Sequence, residues 1–135
     1  MAALALLAPF PALTEGVNGT CVLTSNYYNA QYTLPLLVGT PPQLLNAIPD
    51  SGSYELIMTS VKCDGCKGHP LFNMSSSVSF VGSDDVVNTA FGQGDVTSVI
   101  SYDRVQLGEL VAPKQSILLM TNNGLRNFEE AAYDA

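Results

Sequence analysis

The sequence predicts a single all-β domain. Glycine, proline, serine and asparagine interrupt the chain about every 8 to 12 residues, and the segments between them are short and rich in β-forming residues. Apolar residues make up 47% of the 135 residues and charged residues 13%, a composition typical of a packed domain. A chain of this length is sufficient for one domain with a modest core.

The charge balance argues against two classes of partner. The chain has 12 acidic and 5 basic residues, which gives a net charge of −7. Nucleic acids and anionic membranes bind clusters of Lys and Arg, and this sequence has no such cluster. We therefore expect neither of them as a partner, and an acidic, solvated surface is the simple explanation of the charge.

The first 26 residues are predicted to be a signal or linker segment ahead of the domain at 27–135. Met1 to Leu13 are almost all apolar, but this run is shorter than the roughly 20 residues that a membrane-spanning helix needs. It is similar to the apolar region of a secretory signal, although no basic residue precedes it. A wrongly assigned start of the chain is the alternative explanation.

The first half of the domain reads as strands separated by tight turns. We predict strands over Tyr27–Val38, Leu44–Ile48 and Tyr54–Thr59. Pro35 places the first of them near a sheet edge or a bulge, because proline lacks a backbone donor. A turn rich in proline, Gly39 to Gln43, separates the first two strands.

The second half is predicted to contain a long hairpin. Its arms are Val86–Phe91 and Val96–Ile100, its tip is Gly92-Gln93-Gly94, and Tyr102–Leu107 continues the second arm. The other predicted elements are a loop over Ser60–Ser79, a turn at Gly108-Glu109 leading into Leu110-Val111, a strand over Ser116–Met120, a turn at Asn122-Asn123-Gly124 and a short helix over Arg126–Tyr133.

One stretch of the chain carries candidate chemistry. An apolar run ending at Ile48 leads into Asp50, which a tight Ser51-Gly52 turn follows. Serine hydroxyls hydrogen-bond nearby groups, and glycine lets the backbone approach closely. Such a turn presents a single carboxylate at the tip of a loop. An Asp-Ser-Gly triplet alone is also common in ordinary surface turns.

Four motifs in order give this stretch a context. From about Tyr32 to Asp134 the chain resembles the N-terminal lobe of pepsin-like aspartic endopeptidases. The motifs are a first strand with its Gly-Thr-Pro turn (Tyr32 to Gln43), the catalytic loop Asp50-Ser51-Gly52-Ser53, the flap tip Phe91-Gly92-Gln93-Gly94, and the strand after the flap (Ile100 to Gly108). The resemblance implies one half of a six-stranded β-barrel or sandwich of the pepsin type, incomplete at its C-terminus.

The resemblance also implies a mechanism without metal or organic cofactor. A water held between two carboxylates that share one proton attacks the peptide bond, and the closeness of the like charges splits their pKa values. Asp50 would be one of the two carboxylates. Ser53 would hydrogen-bond it, Ser51 and Gly52 would shape the loop, and the flap would close over an extended peptide substrate.

Three residues depart from the family pattern. Phe91 stands where the flap usually carries tyrosine, and Ile57 where the strand after the catalytic loop usually carries tryptophan. The hydrogen bond between those two side chains is therefore missing. Pro49, directly before Asp50, removes a backbone donor and restricts Ile48.

The cysteines and sequons fit a secretory route. By the resemblance, Cys63 and Cys66 form a small disulfide after the catalytic loop, and Cys21 pairs outside this chain or is free. A zinc site that adds Cys21 and His69 and a redox Cys-x-x-Cys motif are the alternatives. His69 is otherwise expected to be solvated. Two Asn-x-Ser/Thr sequons, at Asn18 and Asn73, are candidate glycosylation sites.

The sequence therefore predicts an aspartic endopeptidase fragment of a secreted or lumenal, acidic compartment. The second Asp-Thr/Ser-Gly motif is expected from a C-terminal lobe in the full-length protein, so these 135 residues alone are expected to be inactive. A non-catalytic peptide-binding lobe is one alternative. The other is a homodimer in which each chain supplies one Asp50.

Overall fold

A computed structural model describes residues 24–26, 31–126 and 128 of the chain. Its elements are strands β1 (Thr24–Asn26), β2 (Gln31–Val38), β3 (Gln43–Ala47), β4 (Ile57–Met58), β5 (Val81–Phe91), β6 (Gly94–Leu107) and β7 (Leu110–Asn123), and a 3-10 turn at Met74–Ser76. Over the described residues there is no α-helix. The all-β prediction is confirmed.

The sheet is built around β6. This strand pairs antiparallel with β5, β7 and the end of β2, so it carries most of the pairing in the described part of the chain. Strands β1 and β3 pair with β2, and β4 pairs with β7 in parallel. At Pro35 the only described partner strand is β3, through Asn46, as expected for a proline at an edge.

Several predicted boundaries are wrong. Only Ile57 and Met58 of Tyr54–Thr59 form a strand, because the parallel pairing reaches just Leu118 and Leu119. The hairpin arms are longer than predicted. The described strand β7 joins Leu110-Val111 to Ser116–Met120 across Pro113, which sits where the register of β6 and β7 shifts.

The end of β7 also differs from the prediction. Asn122 and Asn123 were expected in a turn, but they pair with Thr97 and Val96 of β6. The predicted helix begins at Arg126, which lies in a turn, and apart from Phe128 its other residues lie outside the described part. Residues 27–30 of the first predicted strand also lie outside it.

Two groups of buried side chains fill the interior. The larger lies between β2, β3, β6 and β7 and includes Leu45, Phe72 and Leu119. The smaller contains Cys66, Val96, Met120 and Phe128. Residues 117–120 are all buried, so the middle of β7 is covered on both faces and contributes to both groups.

A buried carboxylate ties the long loop to β6. Asp103 is 1% exposed, and its Oδ1 accepts hydrogen bonds from the Ser79 hydroxyl (2.6 Å) and from the Arg104 backbone N–H (2.7 Å). The same Ser79 hydroxyl lies 2.8 Å from the Thr40 hydroxyl in the turn after β2. Asp103 therefore has a structural role in the strand that follows the hairpin tip.

Candidate active site

Asp50 stands on an exposed turn at the end of β3. The strand ends at Ala47, and Ile48 and Pro49 lead the chain out of the core to the Asp50-Ser51-Gly52 turn. The Gly52 backbone N–H donates to Asp50 Oδ1 at 2.8 Å. That bond, followed in size by a hydrogen bond from the Ser53 side chain, lowers the pKa of Asp50 below its ordinary value of 3.8. The turn therefore favours the ionised carboxylate.

The hairpin of β5 and β6 carries the second part of the site. Phe91 pairs with Gly94, so Gly92 and Gln93 form the tip. The segment after β7, which begins at Gly124, holds this hairpin tip through two backbone hydrogen bonds. The Gly124 N–H donates to the Asp95 carbonyl at 2.9 Å, and the Arg126 N–H donates to the Gln93 carbonyl at 3.2 Å.

Gly94 makes this contact possible. Its φ is +145°, a conformation that favours glycine, and a β-carbon at this position would collide with the Gly124 carbonyl. Gly92, in contrast, has open space around it. The close approach of the two backbones therefore depends on one of the two glycines at the hairpin tip.

A cleft of about 330 Å³ joins the turn and the hairpin. Asp50 and Ser53 line it together with Phe91, Gly92 and Gln93, so the structure brings together five of the eight residues predicted for loop and flap. The other three, Ser51, Gly52 and Gly94, shape the backbone beside the cleft without lining it. The remaining lining residues are Ile48, Glu55, Leu56, Ile57, Val96, Met120, Leu125 and Phe128.

Most of these additional residues were not predicted as site residues. Val96 could have been, because it lies two positions after Gly94 on a strand whose side chains alternate between the two faces of the sheet. Leu125 and Phe128 could not, since they reach the cleft only through the pairing of Gly124 and Arg126 with the hairpin. Neither residue belongs to a sequence motif that indicates a binding site.

Two of the positions at which the sequence departs from the family pattern line the same cleft. Phe91 and Ile57 both line it, on the hairpin and on β4 respectively. Neither side chain has a polar atom, so they add apolar surface where the family pattern has a hydrogen-bonded tyrosine and tryptophan. The cleft wall at this point is suited to apolar contacts.

The cysteine motif that follows the Asp50 turn forms a disulfide. Cys63 and Cys66 are bonded to each other, and Cys66 is buried against Val96, Met120 and Phe128. The disulfide predicted from the resemblance is therefore present, and the bonded sulfurs are not open for zinc or for a free dithiol. Cys21 lies outside the described residues.

The expectation of a solvated His69 is wrong. Its ring is partly buried and stacks on Phe128 with the centroids 4.4 Å apart. Its Nε2 lies 2.7 Å from the Phe128 carbonyl oxygen. His69 thus connects the loop after the disulfide to a residue of the cleft wall.

The two sequons differ in what the structure describes. Asn73 caps the 3-10 turn, where its Oδ1 accepts from the Ser75 backbone N–H at 3.1 Å. Asn18 lies outside the described residues. Glycosylation of Asn18 and of Asn73 stays a prediction. No helix in the described residues has the length and apolar character needed to cross a membrane.

The chain matches a known family along most of its length. The family model for eukaryotic aspartyl protease matches residues 31–135. Pepsin A from Canis lupus familiaris is 36% identical over 92 residues, which are 67% of this chain and 24% of that relative. Chymosin from Callithrix jacchus is 31% identical over 112 residues, which are 82% of this chain and 29% of that relative.

A third similar relative is named as a glycoprotein. Pregnancy-associated glycoprotein 1 from Sus scrofa is 32% identical over 117 residues, which are 85% of this chain and 30% of that relative. The match thus covers 24% to 30% of the length of these curated relatives. The matched residues contain both the Asp50 turn and the hairpin, in an all-β fold consistent with a pepsin-like lobe. The chain therefore belongs to the eukaryotic aspartyl protease family.

Proposed function

We propose that this chain supplies one half of the active site of an acid endopeptidase. Asp50 is one of two catalytic carboxylates, and a second lobe of the full-length protein supplies the other. The observation that carries the proposal is the shared cleft, in which Asp50 and Ser53 face the hairpin tip at Phe91 to Gln93. The substrate is an extended peptide that lies between the turn and the hairpin.

The environment of Asp50 supports a role as the ionised member of the pair. Hydrogen bonds from Gly52 and Ser53 lower its pKa, so the isolated turn holds the carboxylate in its charged form. An ionised carboxylate takes a proton from the attacking water, and a protonated partner donates to the scissile carbonyl. In the complete site both titrations belong to the pair of carboxylates.

The hairpin supplies the cover over the reacting groups. Phe91 and Gln93 line the cleft beside Asp50, and the backbone bonds to Gly124 and Arg126 hold the tip in place. Excluding water in this way strengthens the electrostatic interactions of the two carboxylates. The apolar wall formed with Ile57 favours substrates with apolar side chains next to the scissile bond.

The protein acts outside the cell or in a lumenal, acidic compartment under this proposal. Secretion or a lumenal, acidic compartment agrees with the apolar N-terminus, the sequons at Asn18 and Asn73 and the disulfide between Cys63 and Cys66. The same disulfide is difficult to maintain in a reducing cytosol. Glycosylation at Asn73 would leave the capping oxygen in place, because the glycan is attached to the side-chain nitrogen.

The test is peptide cleavage by the full-length protein that contains these residues. We expect it to cleave a quenched fluorescent peptide at acid pH, and Asp50→Asn to reduce kcat by about 10²- to 10⁴-fold with little change in fold. Asp85→Asn, an exposed carboxylate on β5, is the matched control. Cleavage that survives Asp50→Asn would contradict the proposal. The 135-residue chain alone is expected to be inactive, because it contains one Asp-Ser-Gly motif.

A non-catalytic peptide-binding lobe is the second candidate. The specific observation in its favour is that Phe91 and Ile57 both line the cleft without a polar atom. Under this proposal the full-length protein binds apolar peptides but cleaves none. Tight binding of a hydroxyl-containing transition-state mimic that requires Asp50 would favour the protease instead, since such mimics bind active carboxylate pairs far more tightly than substrates do.

A further inference from the structure

The charges that line the cleft all have one sign. Of the 13 lining residues two are charged, Asp50 and Glu55, and both are acidic. The other lining residues are apolar or neutral. Because Asp50 belongs to the proposed catalytic pair, Glu55 is the charge in this wall that the proposed reaction does not use.

Glu55 also lines a second cavity. That cavity, of about 270 Å³, shares Glu55 and Leu56 with the first and is otherwise bordered by residues of β5, β6 and β7 and by Tyr54. No lysine, arginine or histidine of the described chain lines either cavity. Glu55 therefore borders both cavities, and the described lining of the two contains no positive charge to offset it.

The Glu55 carboxylate is available to a ligand. The residue is exposed, and its Oε2 accepts one long hydrogen bond, 3.4 Å, from the adjacent Tyr54 backbone N–H. Lys114, which precedes the second cavity's Gln115 in the chain, has its Nζ 5.1 Å from the centre of the Tyr102 ring and lines neither cavity. A carboxylate at a cavity wall without a cationic neighbour attracts a cation brought by the substrate.

We propose that Glu55 is a specificity-determining residue that selects peptides with a lysine or arginine at the position that passes between the two cavities. This inference rests on the proposed function, because it assumes that a peptide occupies the cleft. A peptide backbone in the first cavity would direct one side chain past Leu56, whose apolar surface suits the aliphatic stem of a basic residue. The charged end of that side chain would then meet Glu55.

The experiment measures peptide binding to the full-length protein that contains these residues, by fluorescence anisotropy at a pH above the acid range in which cleavage is expected. The probes are fluorescein-labelled hexapeptides of valine, phenylalanine and leucine, in which each position in turn carries lysine or glutamine. At one position we expect lysine to bind about threefold to fivefold more tightly than glutamine, the upper part of the range measured for solvent-exposed ion pairs. Glu55→Gln should bring the affinities of the lysine and glutamine peptides together at that position.

Two controls separate Glu55 from other acidic groups. Glu109→Gln, in the exposed turn between β6 and β7, should keep the lysine preference because Glu109 lines neither cavity. Raising the salt concentration to about 0.5 M should weaken the preference, since exposed charges are screened over a few ångströms there. If the preference is lost in Asp50→Asn but persists in Glu55→Gln, the selection belongs to Asp50 and the inference is wrong.

The remaining outcomes distinguish this inference from the proposed function. If apolar peptides bind but no position favours lysine, Glu55 does not select and only the inference fails. If no peptide binds the wild-type protein, the cleft is not a peptide site in this lobe, and both are contradicted. A lysine preference that follows Glu55 supports both.

Discussion

Asp50 combines high exposure with a perturbed titration. An exposed carboxylate normally titrates near its ordinary value, but the Gly52 backbone N–H and the Ser53 hydroxyl favour its charged form and lower its pKa. Local turn geometry, without burial or a cationic neighbour, therefore sets the protonation state of the proposed catalytic group. The motif's serine and glycine act directly on the carboxylate that precedes them.

This geometry predicts the effect of Ser53→Ala. In the wild-type chain the Asp50 carboxyl should titrate below 3.8, and Ser53→Ala should raise its pKa toward that value. The Gly52 bond is retained, so the shift should be partial. The measurement is a carbon-detected NMR titration of the Asp50 carboxyl, with Ser51→Ala as control. A midpoint above 3.8 in the wild-type chain would contradict the prediction.

The sign of the effect on stability follows from the same shift. Because the folded state lowers the pKa of Asp50, the fold gains stability from it above the unfolded value of 3.8 and loses that gain as the pH falls through the lower folded value. Acid should therefore weaken this contribution, and neutral pH should retain it. The Asp50→Asn variant should lack this part of the pH dependence of unfolding.

At the scale of single residues, the sequence predicted the Asp50 turn, the hairpin tip and the disulfide, and the structure contains all three. The catalytic role of Asp50 stays a prediction. The sequence did not predict the burial of His69, because a lone histidine before a proline in a loop has no pattern that places it. Its partner Phe128 lies 59 positions away, and their contact depends on how two loops pack. Contacts of this kind follow from tertiary structure and leave little trace in local sequence.

The hairpin and the segment after β7 behave as one element. Two backbone hydrogen bonds join them, and the missing side chain of Gly94 allows the approach. The same segment carries Leu125 and Phe128 into the cleft wall. A substitution that displaces the hairpin tip should therefore also change the positions of Leu125 and Phe128 in the cleft wall.

Gly94→Ala should break this connection. The new β-carbon would meet the Gly124 carbonyl, and its φ of +145° is unfavourable for alanine. We expect the amides of Gly124 and Arg126 to exchange with deuterium at least about tenfold faster, which corresponds to a loss of about 1.4 kcal/mol of local protection. Hydrogen exchange read by NMR is the measurement.

The matched control is Gly92→Ala at the same tip. Gly92 has open space around it, so its substitution should leave both amides unchanged. Equal acceleration in the two variants would show that alanine disturbs the hairpin in general. Unchanged exchange in Gly94→Ala would contradict the role of this contact.

At the scale of elements, turn residues and apolar runs predicted that strands exist, but the lengths of the strands depend on pairing. Strand β7 continues through Pro113 because the register of β6 and β7 shifts there. At such an irregularity the pairing tolerates a residue that has no backbone N–H to donate. Strand β4 has only two residues, because its parallel pairing with the much longer β7 is limited to Leu118 and Leu119. Neither fact can be read from the segment alone.

The whole lobe depends on its smaller core as well as on the larger one. Cys66, Val96, Met120 and Phe128 are buried together directly beside the cleft. The disulfide fixes one side of this group, and the residues next to it form the cleft wall. The stability of the lobe and the shape of its site therefore share the same side chains.

Removing the disulfide should weaken the lobe measurably. The two cysteines are three positions apart, and closing so short a loop contributes about 2 kcal/mol in the chain-entropy treatment. The double variant Cys63→Ala/Cys66→Ala should lower the free energy of unfolding by this amount in urea. Cys21→Ala is the control for loss of a thiol alone. An unchanged unfolding midpoint in the double variant would refute the expectation.

The bonds at the hairpin tip have a kinetic consequence. Two backbone hydrogen bonds that contribute about 0.5 to 1.5 kcal/mol each leave the hairpin detached in roughly 1% to 15% of molecules. A peptide that enters only when the hairpin is detached would associate more slowly than diffusion allows, in proportion to that fraction. The waiting time for entry would then be set by the backbones of Gly124 and Arg126, two residues that do not line the cleft.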